Sequence, residues 1–152
     1  MSPAQETNTQ PMNWHGFLIY FSLWISAGSN IWSAVTILLG KRYGSMTLNF
    51  YSRFPAMLTL DIVLAIACLI LGAMAIGIRF SLAKFETDAP AMLFRFLMAA
   101  AACNLVNALL MMAILPSGAV NVGSTFGQIA GAVAIAGINK SYYDKRQAMF
   151  VN

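Results

Sequence analysis

GSTFGQIAGAVAIAG, residues 123–137, is the stretch from which the rest of the chain is read. Taken as a helix, it sets Gly123, Gly127 and Gly131 four residues apart, and Gly123, Gly127, Ala130, Ala134 and Gly137 at alternating spacings of four and three. Residues three and four apart share a helix face, so one side of this helix carries almost no side chain. Such a face lets a neighbouring backbone approach closely. In lipid, where apolar contact is available everywhere, close packing of this kind is a main source of helix association. The stretch therefore points to a helix inside a membrane.

Composition points the same way. Of 152 residues, 59% are hydrophobic and only 9% are charged, against roughly 25% charged in soluble domains. Four apolar runs, about 14–40, 57–79, 91–115 and 121–142, account for the excess. Each is long enough for a helix to cross about 30 Å of hydrocarbon, which takes roughly 20 residues. Backbone groups in that layer must be satisfied internally, which selects helices, and strict alternation of a β-barrel is absent. The expected fold is an all-α polytopic membrane protein, an antiparallel four-helix transmembrane bundle spanning residues 14–143. A disordered tail at 1–13 and a cytoplasmic tail at 144–152 are expected to flank it. Residues 1–13 hold no Lys or Arg, so the first run reads as a retained helix rather than a cleaved signal.

The first helix has a face of its own. Ser22, Ser26, Ser29, Ser33, Thr36 and Gly40 repeat at spacings of four and three, a packing seam written in small residues. Its expected mate within the chain is the glycine face at Gly123, Gly127 and Gly131, if the first and last helices close a ring. KRYGSMTLNFYSRFP, from Lys41 to Pro55, is read as a loop whose basic and aromatic residues sit at headgroups rather than on nucleic acid.

Asp61 lies about one turn inside the second helix. An intramembrane ionisable group is by default a candidate functional site, although the helix start favours a negative charge and Arg53 or Lys41 is within reach. Asn30, Asn104, Asn107 and Gln128 join Asp61 in one half of the bilayer when depth is counted at about 1.5 Å per residue. This set is either a polar pocket open to the outside, with Asp61 its only charge, or a hydrogen-bonded core that fixes helix register. Trp14, Arg79, Arg95, Lys140, Tyr142, Tyr143, Lys145 and Arg146 read as anchors at the membrane surface. His15 has no second His beside it and reads as interfacial, without a metal. Cys68 and Cys103 form no C-x-x-C and read as small packing residues.

Four spans put both termini and the loop at 80–90 on one side. That side holds Arg79, Lys84, Arg95, Lys140, Lys145 and Arg146, against Lys41, Arg42 and Arg53 opposite. The positive-inside rule then places both termini in the cytoplasm. No zinc-protease, nucleophile-elbow or phosphate-loop motif occurs, so no enzyme and no cofactor are expected. A non-enzymatic assembly or interaction protein fits the small-residue faces, its partners the bilayer and either its own copies or another membrane protein. The alternative is a small-solute or ion transporter or channel built around Asp61.

The plan of the chain, with WHGFLIYFSLW opening the first helix, Asp61 near the head of the second and YYDKRQAMF closing the fourth, resembles small four-span bacterial membrane proteins of uncharacterised function. The resemblance implies a bacterial cytoplasmic membrane and carries over no active-site residues.

Overall fold

A computed structural model describes residues 12–151, so the expected tail at 1–13 lies almost wholly outside the described residues. The described residues are mostly helical, with α1 at Asn13–Leu38, α2 at Thr47–Arg53, α3 at Pro55–Ala83, α4 at Ala89–Ile114 and α5 at Val122–Asp144. Four of these, α1, α3, α4 and α5, are long and apolar enough to cross a membrane. The protein is an all-α polytopic membrane bundle, as composition requires.

Helix boundaries follow local chemistry. The α1 helix stops at Gly40, whose φ of +65° suits glycine. Its N–H bonds the Ile37 carbonyl while Lys41 N–H reaches back to Thr36, the paired bonds of a Schellman motif. Inside α1, one π turn at Leu18–Ser22 shifts the register of the first two turns against the rest. Pro55 opens α3, where its missing N–H costs nothing. Asn121 caps α5 by accepting from Ser124 N–H at 3.0 Å. The spans run somewhat past their expected limits: α3 continues through Arg79 to Ala83, and α5 to Asp144.

The segment read as a loop between the first two spans contains a helix. Thr47 Oγ1 donates to the carbonyls of Gly40 and Gly44 at 2.7 and 2.8 Å, anchoring the start of α2 against the end of α1. Phe50 then packs against Tyr43 and Phe54 with tilted rings and against Tyr51 edge to face. Four rings and a threonine thus build a small cap on this end of the bundle, an arrangement that charge and turn counting does not reveal.

The helices pack in sequence, α1 on α3, α3 on α4 and α4 on α5. The closest pairing, α1 with α3, is made by small residues: Ala27 and Ala34 of α1 lie buried with Ala65, Gly72 and Ala75 of α3. A Cβ added at Gly72 would stand 3.0 Å from Ile31 Cγ1 and 3.5 Å from the Ala27 carbonyl oxygen. The packing face of α1 is therefore Leu23, Ala27, Ala34 and Ile37, beside the serine face rather than on it. Ser22 and Ser26 are half-buried, and Ser29 and Ser33 are exposed.

The glycine face of α5 does not mate with the serines of α1. A Cβ built at Gly127, Gly131 or Gly137 meets no atom within 4 Å, and one at Gly123 meets only the Asn121 side chain at 3.7 Å. The α5 residues buried in the bundle are Ala136, Asn139 and Tyr143. Gly127 and Ala136 are about two and a half turns apart, hence on opposite sides of the helix. The bare glycine face and the face of Ala136, Asn139 and Tyr143 are both free of large aliphatic side chains, so hydropathy alone does not say which one turns inward.

The core is concentrated at the end of the bundle near the chain termini, here the proximal end, where Leu18, Leu82, Ala89, Leu93, Tyr143 and Phe150 meet. A smaller cluster of Ala34, Ile37 and Ala65 lies toward the other, distal end. The residues after Asp144, read from sequence as a tail, turn back through a short 3-10 helix at Gln147–Met149 and bury Phe150 in the proximal core.

Candidate functional site

The Gly40 turn carries the chain from the end of α1 back over the head of α3, which places Arg42 above Asp61. The two form an ion pair in which Asp61 is 1% exposed and Arg42 23%. Tyr51 of α2 donates its hydroxyl to the second carboxylate oxygen at 2.9 Å, and the Arg42 guanidinium lies 5.7 Å from the centre of the Tyr43 ring. Burial pushes the Tyr43 and Tyr51 phenols up to about 12, with the neighbouring carboxylate adding to the rise in both.

Asp61 is therefore a neutralised charge under a lid of loop and α2 residues, not the floor of an open pocket. Its partner is neither Arg53 nor Lys41: Arg53 sits over the Phe54 ring at 5.8 Å, and Lys41 is exposed. Arg42 takes the role because the Schellman turn fixes its direction. That turn is visible in sequence only as a lone glycine before two cations.

The rest of the expected polar pocket divides. Asn30 donates to the Ser26 carbonyl of its own helix at 2.8 Å. Asn104, Asn107 and Gln128 do come together, with Asn121 and Thr125, around a cavity of about 310 Å³ between α4, α5 and the turn joining them. Asn107 Nδ2 reaches Met111 Sδ at 3.5 Å, while its Oδ1 is buried with no hydrogen-bond partner. Gln128 reaches Ser124 Oγ at 3.4 Å. The amides thus share a place but bond weakly, and mostly within their own helices.

A second polar cluster occupies the proximal end. His15 is 4% exposed and its Nδ1 lies 2.9 Å from the Tyr143 hydroxyl. The rings of Phe85, Tyr143 and Phe150 surround it at centroid distances of 4.9, 5.9 and 5.8 Å. Beside it, Trp14 Nε1 donates to Asn139 Oδ1 at 3.0 Å. These two pairs tie the start of α1 to the end of α5.

His15 and Tyr143, both read from sequence as interfacial, are interior residues. Burial was signalled by Asn139 and Tyr143, four apart on α5 like the polar stripe of a packed helix, but His15 finds its place only through the turned-back Phe150. The other anchors keep to the surface in different ways. Arg79 stacks on Trp24 and Phe80 at 5.1 and 4.8 Å, Arg146 on Tyr142 at 3.9 Å, and Lys140 pairs with Asp144 at 2.7 Å. Arg95 and Lys145 are exposed.

Among the described residues, no three His, Cys, Asp or Glu side chains gather as a metal site, and Cys68 and Cys103 are free thiols. Compared with protein-family models, curated proteins and solved structures, the chain finds no match. What fold and sites define is a class, a four-span α-helical membrane bundle with one sealed ion pair and one weakly bonded amide cleft.

Proposed function

We propose that this chain is a non-enzymatic assembly protein of a bacterial cytoplasmic membrane, with both termini in the cytoplasm. It recruits another transmembrane helix, from a second copy or a different membrane protein, onto the outward face of α5. One observation carries the reading: Gly123, Gly127, Gly131 and Gly137 stand on the side of α5 away from the bundle and meet no other helix. A bare helix face turned to lipid gains nothing that a leucine face would not gain better, whereas against a second backbone it permits close contact and interhelical hydrogen bonds. The six basic side chains at the proximal end supply the orientation.

The test is association in mild detergent and in vesicles, measured by crosslinking and light scattering, with Gly127→Leu as the variant. A Cβ added at Gly127 meets no atom of its own protomer within 4 Å, so the fold is expected to be retained while close approach of a partner helix is blocked. The expected result is loss of the oligomer, or of a co-purifying membrane partner, at unchanged helical content. Persistence of the same assembly in Gly127→Leu and Gly131→Leu together sinks the proposal.

A small-solute path is the second reading, favoured by the cavity at Asn104, Asn107 and Gln128 and by the unpartnered Asn107 oxygen. Solute flux into vesicles that is abolished by Asn107→Leu supports it, and flux equal to that of empty vesicles rejects it.

A further inference from the structure

A cavity of about 430 Å³ opens at the proximal end between the first turns of α4 and the last turns of α5. Its lining mixes apolar side chains, Pro90, Phe94 and Phe150, with charged ones, Arg95, Lys140 and Asp144. Lys140 is held by Asp144 at 2.7 Å, but the Arg95 guanidinium has no ion pair or hydrogen bond among the described residues. A free guanidinium fork beside a cavity at the membrane boundary is a binding group for phosphate oxygens, which it meets with two parallel hydrogen bonds. The start of α4 adds partial positive charge on the same side.

We propose that this cavity binds a phosphate anion, and that its source is the phosphodiester of an acidic phospholipid headgroup. Arg95 grips the phosphate, and Lys140, which also donates to Asp144, gives it a second cationic donor. Phe94 and Phe150 cover the glycerol and first methylenes of the lipid. The Asp144 carboxylate has a consequence for selectivity. Two cations and one carboxylate leave the site with a single net positive charge, which a singly charged phosphodiester neutralises in full and a doubly charged free phosphate would overfill by one negative charge. The lining is also amphipathic in the sense a lipid needs, with Phe94 and Phe150 beside Arg95 and Lys140.

The experiment uses the full chain, delipidated in mild detergent and then given micelles containing either phosphatidylglycerol or phosphatidylcholine, with retained lipid counted by native mass spectrometry. Phosphatidylglycerol is expected to be retained in preference to phosphatidylcholine. Arg95→Gln is expected to lower its retention about fivefold, the effect of removing one cation at a lipid surface, while Arg95→Lys loses less and Arg53→Gln, at the distal end, loses nothing. Because Arg95 is exposed, its replacement leaves the fold intact, and an unchanged elution profile and helical content check this. Equal retention of both lipids, or Arg95→Gln retaining phosphatidylglycerol as the parent does, overturns the proposal. Displacement of phosphatidylglycerol by millimolar inorganic phosphate overturns the lipid source and assigns the site to the free anion.

Discussion

Arg42 and Asp61, nineteen residues apart in sequence, form an ion pair whose two members are buried to very different degrees, 23% exposed for the guanidinium and 1% for the carboxylate. Breaking a buried pair costs most when it leaves the more deeply buried charge alone. Arg42→Gln strands Asp61 beneath the lid, with only the Tyr51 hydroxyl to bond it, and is expected to cost about 3 kcal/mol. Asp61→Asn leaves an arginine that can swing its long stem to the headgroups, and is expected to cost only about 1 kcal/mol, the value of one lost hydrogen-bonded contact. Unfolding of both variants in detergent tests the order, and an Asp61→Asn loss equal to or above that of Arg42→Gln contradicts it.

The same lid governs how the tyrosines ionise. Tyr43 and Tyr51 are pushed up to about 12, by burial first and then by the Asp61 carboxylate. In the unfolded chain both phenols ionise near 10. Folded-state values above the unfolded ones mean that the lid's contribution is fully present below pH about 10 and is lost as pH rises from there to about 12. A tyrosinate absorbance titration of the folded protein is therefore expected to show a late component that Tyr51→Phe reduces. If Tyr51→Phe removes absorbance near pH 10 instead, the lid does not seal Asp61 as described.

Hydropathy and length disclose the four spans because crossing a bilayer demands nearly continuous apolar sequence, and Pro55, Asn121 and the Gly40 stop mark helix ends by local rules. Partner choice is less legible. Serine and alanine are both small, so the seam at Ser22, Ser26, Ser29 and Ser33 looks as packable as the neighbouring stripe through Ala27 and Ala34, and only the three-dimensional fit to Gly72 decides between them. Depth was a fair guide for Asn104, Asn107 and Gln128, which do meet. It failed to separate Asp61, because depth says nothing of direction around a helix axis, and the Arg42 lid depends on a backbone reversal at Gly40. His15 was hidden for a different reason, since its burial depends on Phe150 at the far end of the chain.

Two glycines test which small face is structural. A side chain at Gly72 would press on Ile31 and on the Ala27 backbone, forcing α1 away from α3. Gly72→Leu is expected to cost about 1–3 kcal/mol, as overpacked core substitutions do. At Gly131 a Cβ meets nothing within 4 Å, and Gly131→Leu is expected to hold or raise monomer stability, by up to about 0.8 kcal/mol from helix propensity. Thermal unfolding followed by circular dichroism compares them, and equal losses at the two sites would mean that α5 packs on its glycine face after all.

Phe85 supplies the sharpest backbone prediction. It follows the end of α3 with φ of +55°, and the bonds Phe85 N–H to Leu82 and Glu86 N–H to Ser81 are those of a Schellman motif in which glycine is usual. A phenylalanine stands there because its ring packs at 4.9 Å from His15 and 5.5 Å from Phe150, offsetting a left-handed penalty of roughly 1 kcal/mol. Removing the ring destabilises either way, but Phe85→Ala keeps the backbone strain and Phe85→Gly relieves it. Phe85→Gly is therefore expected to be the more stable of the two by about 1 kcal/mol, the reverse of the order at an ordinary helical position, where glycine is worse than alanine. Denaturation midpoints of the two variants measured side by side decide the matter, and an alanine variant at least as stable as the glycine one shows that the turn stores no strain.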